Sequence, residues 1–132
     1  MTTSRRTIVA SFEVTGWDET TYDEPPDGSR LTRATVRKRF TGALDGTSVA
    51  EVLTAQGAGG RGYVASERVE GTLEGRTGTF VVQHGGLDDG TEPRSFGHVV
   101  PGSGTGELAG LSGEAVFAHD ASGARVTLTL DL

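Results

Sequence analysis

The chain has 132 residues and no cysteine, which excludes disulfides, thiolate metal sites and cysteine nucleophiles. Its formal net charge of −6 disfavours a nucleic-acid partner, because a basic patch normally supplies much of that affinity. No apolar run approaches membrane-spanning length and none follows Arg5 and Arg6, so we predict no membrane partner and a cytoplasmic location.

Alternating apolar and polar residues, the pattern of half-buried strands, recur along the whole chain. They predict strands at residues 6–17, 30–41, 47–56, 61–71, 75–84, 94–101, 107–118 and 124–132. The acidic stretch 18–29, which contains two prolines, is predicted as the longest loop and as a flap over one barrel mouth. Residues 85–93 are predicted as a second loop. The pattern indicates one domain over residues 1–132, with no helical segment of any length.

The phrase Gly-x-Leu-x-Gly occurs three times, at residues 42–46, 71–75 and 106–110. Glycine adopts positive φ without steric cost, so paired glycines around a leucine suit a tight hairpin or a bulged strand crossing. We therefore predict an all-β fold, an eight-stranded antiparallel up-and-down β-barrel, with Leu44, Leu73 and Leu108 buried at its ends. The interior of such a barrel is either a packed core or a small-ligand pocket.

Lys38, Glu67 and His84 each share a strand face with apolar neighbours, so we take them as the candidate catalytic residues. An uncompensated polar group inside a core is costly, which favours either pairing of these groups or a functional role. For each of the three residues, an alternative without a catalytic role stays open. Lys38 extends to water from a strand end, Glu67 forms a structural ion pair or points outward with its strand in the other phase, and His84 makes an ordinary hydrogen bond at a strand end.

The remaining inward positions predict the walls of a ligand site. Trp17, beside the long acidic loop, is predicted to cap the barrel mouth, and Gln83 replaces His84 if their strand has the opposite phase. The predicted apolar wall residues are Phe12, Val36, Phe40, Tyr63, Phe80 and Val82.

Other motifs favour no further chemistry. The histidines His84, His98 and His119 have no metal-ligand spacing, so no metal site is predicted. The glycine-rich run 102–106 lacks the Lys-Ser/Thr ending of a phosphate loop and a following helix, which favours a turn between strands. It also lacks the strand–helix context of a hydrolase nucleophile elbow. The basic residues between 30 and 39 are expected on a solvated outer face.

A longer pattern covers nearly the whole chain. It includes Trp17 and the segments 38–48 (Lys-Arg-Phe-Thr-Gly-Ala-Leu-Asp-Gly-Thr-Ser), 63–68, 71–84 (Gly-Thr-Leu-Glu-Gly-Arg-Thr-Gly-Thr-Phe-Val-Val-Gln-His) and 101–113. This pattern resembles the bacterial family of unknown function DUF3224, and the run from 63 to 84 is specific. The resemblance implies an allene oxide cyclase-like, calycin-like barrel with a central cavity. It supplies no substrate.

Two functions from different classes follow from these residues. The first is a barrel that binds a small apolar or amphipathic molecule, as a cofactor-free isomerase or cyclase whose catalysis rests on positioning and electrostatics. The second is a non-catalytic structural or stress-related barrel filled by its own side chains. No cofactor is predicted for either. Outer apolar positions such as Val49 and Leu53, and the family resemblance, also favour a homodimer.

Overall fold

Eight antiparallel strands close into a barrel in the computed structural model, which describes residues 5–132. The strands are β1 (Arg5–Asp23), β2 (Arg30–Gly42), β3 (Leu44–Gly57), β4 (Gly60–Leu73), β5 (Arg76–Asp88), β6 (Arg94–Val99), β7 (Ser112–Asp120) and β8 (Gly123–Asp131). Each strand pairs with the next in sequence, and β8 pairs with β1 to close the ring. The predicted up-and-down barrel is confirmed.

Two of the three Gly-x-Leu-x-Gly phrases form hairpins, and the third does not. Residues 42–46 connect β2 to β3, and residues 71–75 connect β4 to β5 through Glu74 and Gly75, both at positive φ. The third phrase contains a 3₁₀ turn, Gly106–Leu108, and β7 begins only at Ser112. The prediction of a strand from residue 107 is therefore wrong, although Leu44, Leu73 and Leu108 are all buried.

The segment between β6 and β7 instead completes the sheet beside β5. Because β6 pairs only with the second half of β5, the first half would otherwise lack a backbone partner on that side. Thr105 donates its N–H to the Thr79 carbonyl at 2.8 Å, and Val100 donates to the Val81 carbonyl at 2.8 Å. A Cβ at Gly78 would lie 2.0 Å from the Thr105 carbonyl oxygen, so this close approach requires glycine.

β1 is longer than predicted and changes phase along its length. It extends to Asp23, so the predicted loop 18–29 shrinks to residues 24–29; β5 likewise extends to Asp88 and shortens the second predicted loop. A bulge between Val14 and Gly16 shifts the register, so that Trp17 pairs with Val36 and Glu19 with Ala34. Directly paired residues point to the same side of a sheet, and Trp17 and Glu19 therefore face the barrel interior.

The interior divides into two halves along the barrel axis. The packed half lies at the end where β1 begins, and it is filled by large side chains, among them Phe12, Phe40, Leu44, Leu73, Phe80, Val82 and Leu108. The open half lies toward the other end. Its inward positions on β2, β3 and β4 carry the smaller Ala34, Val36, Ala50, Val52 and Ala65, with Tyr63 packed against them. Because small side chains fill less of the lumen, open space remains in this half.

Helices long and apolar enough to cross a membrane do not occur among residues 5–132.

Candidate functional site

A buried polar cluster of Lys38, Ser48, Glu67 and His84 separates the two halves of the barrel. The four residues come from four consecutive strands, and each residue is less than 9% exposed. Lys38 pairs directly with Ser48, and the four approach one another because inward positions on neighbouring strands lie side by side or diagonally. The structure therefore brings together all three side chains predicted from strand phase, and adds a serine.

Glu67 is the centre of the polar cluster, and its side chain is fully buried. Its Oε1 accepts hydrogen bonds from Lys38 Nζ at 3.0 Å and from His84 Nε2 at 2.8 Å. Its Oε2 accepts a hydrogen bond from Ser48 Oγ at 2.5 Å. Both carboxylate oxygens are thus satisfied, and no buried side-chain N or O atom in residues 5–132 lacks a partner. The alternative in which Glu67 points outward is excluded.

His84 links the polar cluster to Tyr63. Its Nε2 faces Glu67, and its Nδ1 lies 3.0 Å from the Tyr63 hydroxyl. With the proton on Nε2, the neutral imidazole donates to the carboxylate and accepts from the phenol, so that one chain runs from Tyr63 through His84 to Glu67. The ring also stacks on Phe117 at a centroid distance of 4.2 Å. These three contacts fix its orientation.

Lys38 is held by one carboxylate and two aromatic rings. Beyond its ion pair with Glu67, Nζ lies 4.4 Å from the centroid of the Phe117 ring and 4.8 Å from that of Phe12. The faces of aromatic rings attract cations, most strongly where water is excluded. The side chain is only 9% exposed, which rules out its extension to bulk water.

Above the polar cluster, the open half contains a cavity of about 430 Å³. Lys38, Tyr63, His84 and Phe117 lie at its inner end, and Val36, Ala50 and Val52 lie on its wall. Glu67 and Ser48 do not line it. A bound molecule would therefore contact the Lys38 ammonium, the His84 imidazole and the Tyr63 phenol. The Glu67 carboxylate would not touch it and would act only through its bonds to Lys38 and His84.

Trp17 lies at the mouth of the cavity, together with a polar rim. Trp17 is 56% exposed and donates its Nε1–H to Glu19 Oε1 at 3.0 Å. The other Glu19 oxygen accepts from Thr32 at 2.7 Å. Further rim residues are Gln56, Arg61, Leu87, Asp88, Pro93 and Arg94. The β1 bulge supplies both Trp17 and Glu19, because it turns their side chains toward the lumen.

Several predicted wall residues lie below the cavity rather than on it. Phe40, Phe80 and Val82 are buried in the packed half, and Phe12 reaches the site from below through its contacts with Lys38 and Phe117. Gln83 points outward, where its amide donates to Ser66 at 3.1 Å, so His84 alone of this adjacent pair faces the lumen. The alternation of apolar and polar residues predicts whether a side chain points into the barrel, but not its height along the barrel axis. The predicted wall therefore included residues that lie below the cavity. Val36 and Tyr63 do line the cavity.

Sequence reasoning missed Ser48 and Phe117, and also the wall residues Ala50 and Val52 and the rim residue Glu19. Ser48 is in phase with Ala50 and Val52, so the alternation carried a signal for it. Phe117 is in phase with Ala115 on β7 and pairs with Val126 of β8. Its role depends on contacts with Lys38 and His84 from distant strands, which only barrel closure reveals.

The surroundings of Glu67 and Tyr63 shift both pKa values. Burial alone would raise the pKa of Glu67, but the His84 hydrogen bond, the Lys38 charge and the Ser48 hydrogen bond outweigh it and lower the pKa to about 2. Burial, and next the charge of Glu67, raise the pKa of Tyr63. At neutral pH the carboxylate is therefore ionised and the phenol keeps its proton.

We expect the polar cluster to make the free energy of unfolding fall at acidic pH. The folded pKa of Glu67 lies below its ordinary value of 4.5, so its contribution is complete above about pH 4.5 and is lost as the pH falls toward about 2. Urea unfolding across this range should show a steeper loss of unfolding free energy for the native protein than for Glu67→Gln, which has no such group to titrate. Parallel curves for the two proteins would contradict the assignment.

No group of three His, Asp or Glu side chains in residues 5–132 is placed to hold a metal ion. The closest acidic and imidazole groups, Glu67 and His84, already bond each other and share Lys38 as a neighbour. At the inner end of the cavity, the Lys38 ammonium can polarise a bound molecule, and the hydrogen-bonded Tyr63–His84 pair can exchange a proton with it.

The family model described as "Protein of unknown function (DUF3224)" matches residues 8–132. The chain belongs to the DUF3224 family. The same family includes a protein of unknown function from Shewanella oneidensis MR-1, whose crystal structure at 1.84 Å resolution is similar to this one. The two share 32% sequence identity and a TM-score of 0.83, over 96% of each chain. No curated protein matches this DUF3224 chain.

Proposed function

We propose that this DUF3224 protein binds a small apolar or amphipathic molecule in the open half of its barrel and acts on it as a cofactor-independent isomerase or cyclase. One observation carries the proposal: a cavity of about 430 Å³ with an apolar wall ends on Lys38, Tyr63 and His84. Concave, mostly apolar sites of this size with a few convergent polar groups are typical of small-molecule binding.

The chemistry of the inner end fits a reaction without redox or metal steps. A cation and a proton donor on one side of a bound molecule can stabilise charge that develops on an oxygen, and the apolar wall can fold a flexible chain. Fatty-acid derivatives, many terpenoids and reduced polyketides combine a largely apolar body with oxygen functions. We therefore expect the ligand in one of these classes.

A structural or stress-related barrel is the second candidate, and the packed half favours it. Large side chains fill that half, and the polar cluster satisfies its own hydrogen bonds without a ligand. Under this alternative the open half is only a residual space, and apolar molecules would show no saturable binding there.

Trp17 provides the test, because it is the chain's single tryptophan and lies at the cavity mouth. Decanoic acid and geraniol, a fatty acid and a terpenoid alcohol, would be titrated while its fluorescence is followed. Binding in the open half predicts a saturable change in emission. Ala50→Phe fills the cavity wall, and it should weaken the affinity roughly tenfold or more.

Two further variants control this titration. Val36→Phe narrows the same cavity from the neighbouring strand and serves if Ala50→Phe does not fold. Val116→Phe adds the same ring on the outer face of β7, where Val116 is 50% exposed, and should leave binding unchanged. Equal affinities in all three variants, or no saturable signal in the native protein, would favour the structural barrel.

We also propose that the protein forms a homodimer through an outer apolar patch made of Leu53, Val64 and Phe96. Each is about half exposed; Leu53 pairs with Val64 across β3 and β4, and the Phe96 ring covers Gly85 beside Val64. Arg33 and Glu51, an ion pair at 3.3 Å, flank the patch. If a two-fold axis passes through the patch, Arg33 of each copy can face Glu51 of the other.

Light scattering tests this association. We expect a mass near twice the 13.7 kDa of one chain, and a fall to the monomer mass in Leu53→Asp. A monomer mass for the native protein at high concentration would overturn the proposal.

A further inference from the structure

Two kinds of group meet at the inner end of the cavity, and together they define a more specific chemistry. The first is a proton-carrying chain, in which the Tyr63 hydroxyl lies 3.0 Å from His84 Nδ1 and His84 Nε2 lies 2.8 Å from Glu67. The second is the Lys38 ammonium, held against that same Glu67 oxygen at 3.0 Å. Both reach the cavity, through Tyr63, His84 and Lys38.

We propose that the substrate is an enolisable carbonyl compound with a β,γ double bond, and that the site moves one proton from its α carbon to its γ carbon. This inference rests on the proposed function and specifies its substrate class. In this assignment Lys38 binds the carbonyl oxygen, and Tyr63 with His84 carries the proton.

The first step balances within the site. Tyr63 Oη takes the α proton while its own proton passes to His84 Nδ1. The electron pair of the broken C–H bond becomes a carbon–carbon double bond, and the carbonyl π pair moves to oxygen, giving a dienolate. The enolate oxygen is stabilised by the Lys38 ammonium, and the new imidazolium by the ionised Glu67.

In the second step the proton moves back along the same residues and is delivered to the γ carbon. His84 returns its proton to Tyr63, and Tyr63 delivers one to the γ carbon as the dienolate reforms the carbonyl. The product is the conjugated α,β-unsaturated isomer, and every protein group regains its initial state. No oxidant, reductant or further reactant enters.

Features of the site favour this chemistry over its competitors. The hydroxyl of the polar cluster, Ser48, does not line the cavity and donates to Glu67 at 2.5 Å, so it is not placed to attack a bound acyl group beside Lys38 and His84. The cavity wall beside Lys38 and His84 carries Val36, Ala50 and Val52, which suits a hydrocarbon skeleton rather than a polyhydroxylated one. The raised pKa of Tyr63 keeps the phenol protonated at neutral pH, which is the starting state of the first step.

The test uses a bicyclic β,γ-unsaturated ketone of the octalone type as probe, in heavy water. Proton NMR follows deuterium entry at the α and γ carbons, ultraviolet absorbance follows conjugation, and Trp17 fluorescence follows binding in the same samples. We expect isomerisation well above the buffer rate. Tyr63→Phe should lower the rate constant of the bound probe about a hundredfold with little change in its affinity.

Further variants show whether the rate depends on Lys38 as well as on Tyr63. Lys38→Met should lower the rate by roughly a hundredfold or more, because the enolate oxygen loses its cation. Tyr22→Phe, the same change at an exposed tyrosine outside the site, should leave the rate unchanged. Tyr63→Phe loses the hydrogen bond to His84, so its thermal unfolding should stay cooperative with a modest fall in Tm. A rate loss measured well below that Tm, with the probe affinity retained, separates lost chemistry from lost structure.

The outcomes separate this inference from the proposed function. A ketone that binds but isomerises at the buffer rate, or a full rate in Tyr63→Phe, overturns the inference and leaves binding intact. Saturable binding of decanoic acid or geraniol with none of the ketone overturns the carbonyl class alone. If no probe binds, both proposals fail.

Discussion

Lys38→Met is expected to lower the free energy of unfolding by about 3–5 kcal/mol, the range typical of breaking a buried ion pair. The loss arises because the fully buried Glu67 would keep its charge without the ammonium 3.0 Å away. Urea unfolding monitored by Trp17 fluorescence and by circular dichroism would measure it. Arg33→Met is the control: it removes a cation from the exposed Arg33–Glu51 pair and should cost no more than about 1 kcal/mol.

The double variant Lys38→Met/Glu67→Gln gives the sharper result. Removing both charges relieves the unpaired carboxylate, so the double variant should be more stable than Lys38→Met alone, and the two changes should be strongly non-additive. Additive losses would mean that the two groups do not act as a pair. If the double variant is also more stable than the native protein and binds ligand unchanged, the pair is structural at most.

Leucine-to-alanine changes in the packed half should cost about 2–4 kcal/mol each. Leu44, Leu73 and Leu108 are at most 1% exposed, so each truncation leaves a cavity among large neighbours that cannot collapse fully. Chemical unfolding of the three variants would measure the cost, with Leu87→Ala as the control, because Leu87 is 59% exposed. Near-zero losses at all three positions would contradict the packed half.

The strand number and the barrel were predictable because period-two alternation and glycine-flanked turns are local signals. The errors lie where local composition and tertiary pairing disagree. Residues 18–23 are polar and look like a loop, yet they continue β1 because β2 offers backbone partners up to Leu31. The third glycine phrase does not form a hairpin, because β6 is too short to pair with all of β5. The chain around Thr105 pairs with the first half of β5 instead.

The polar cluster was predictable for a related reason. Lys38, Glu67 and His84 are polar residues in phase with apolar ones, and burying them is tolerable only if they meet. The sequence did not contain the height of each residue along the barrel, which decides that Phe40 supports the packed half while Val36 lines the cavity. Nor did it contain the β1 bulge that aims Trp17 inward, because the bulge follows from pairing with β2.

A crystal of the protein soaked with a brominated amphipathic ketone tests the central claim most directly, because anomalous scattering locates the bromine without bias. We predict a single strong peak in the open half, between Trp17 at the mouth and the inner end at Lys38 and Phe117, with the ketone oxygen near Lys38 Nζ. The peak should vanish in Ala50→Phe. Bromine found only on the outer patch at Leu53, Val64 and Phe96, with the open half empty, would contradict the account.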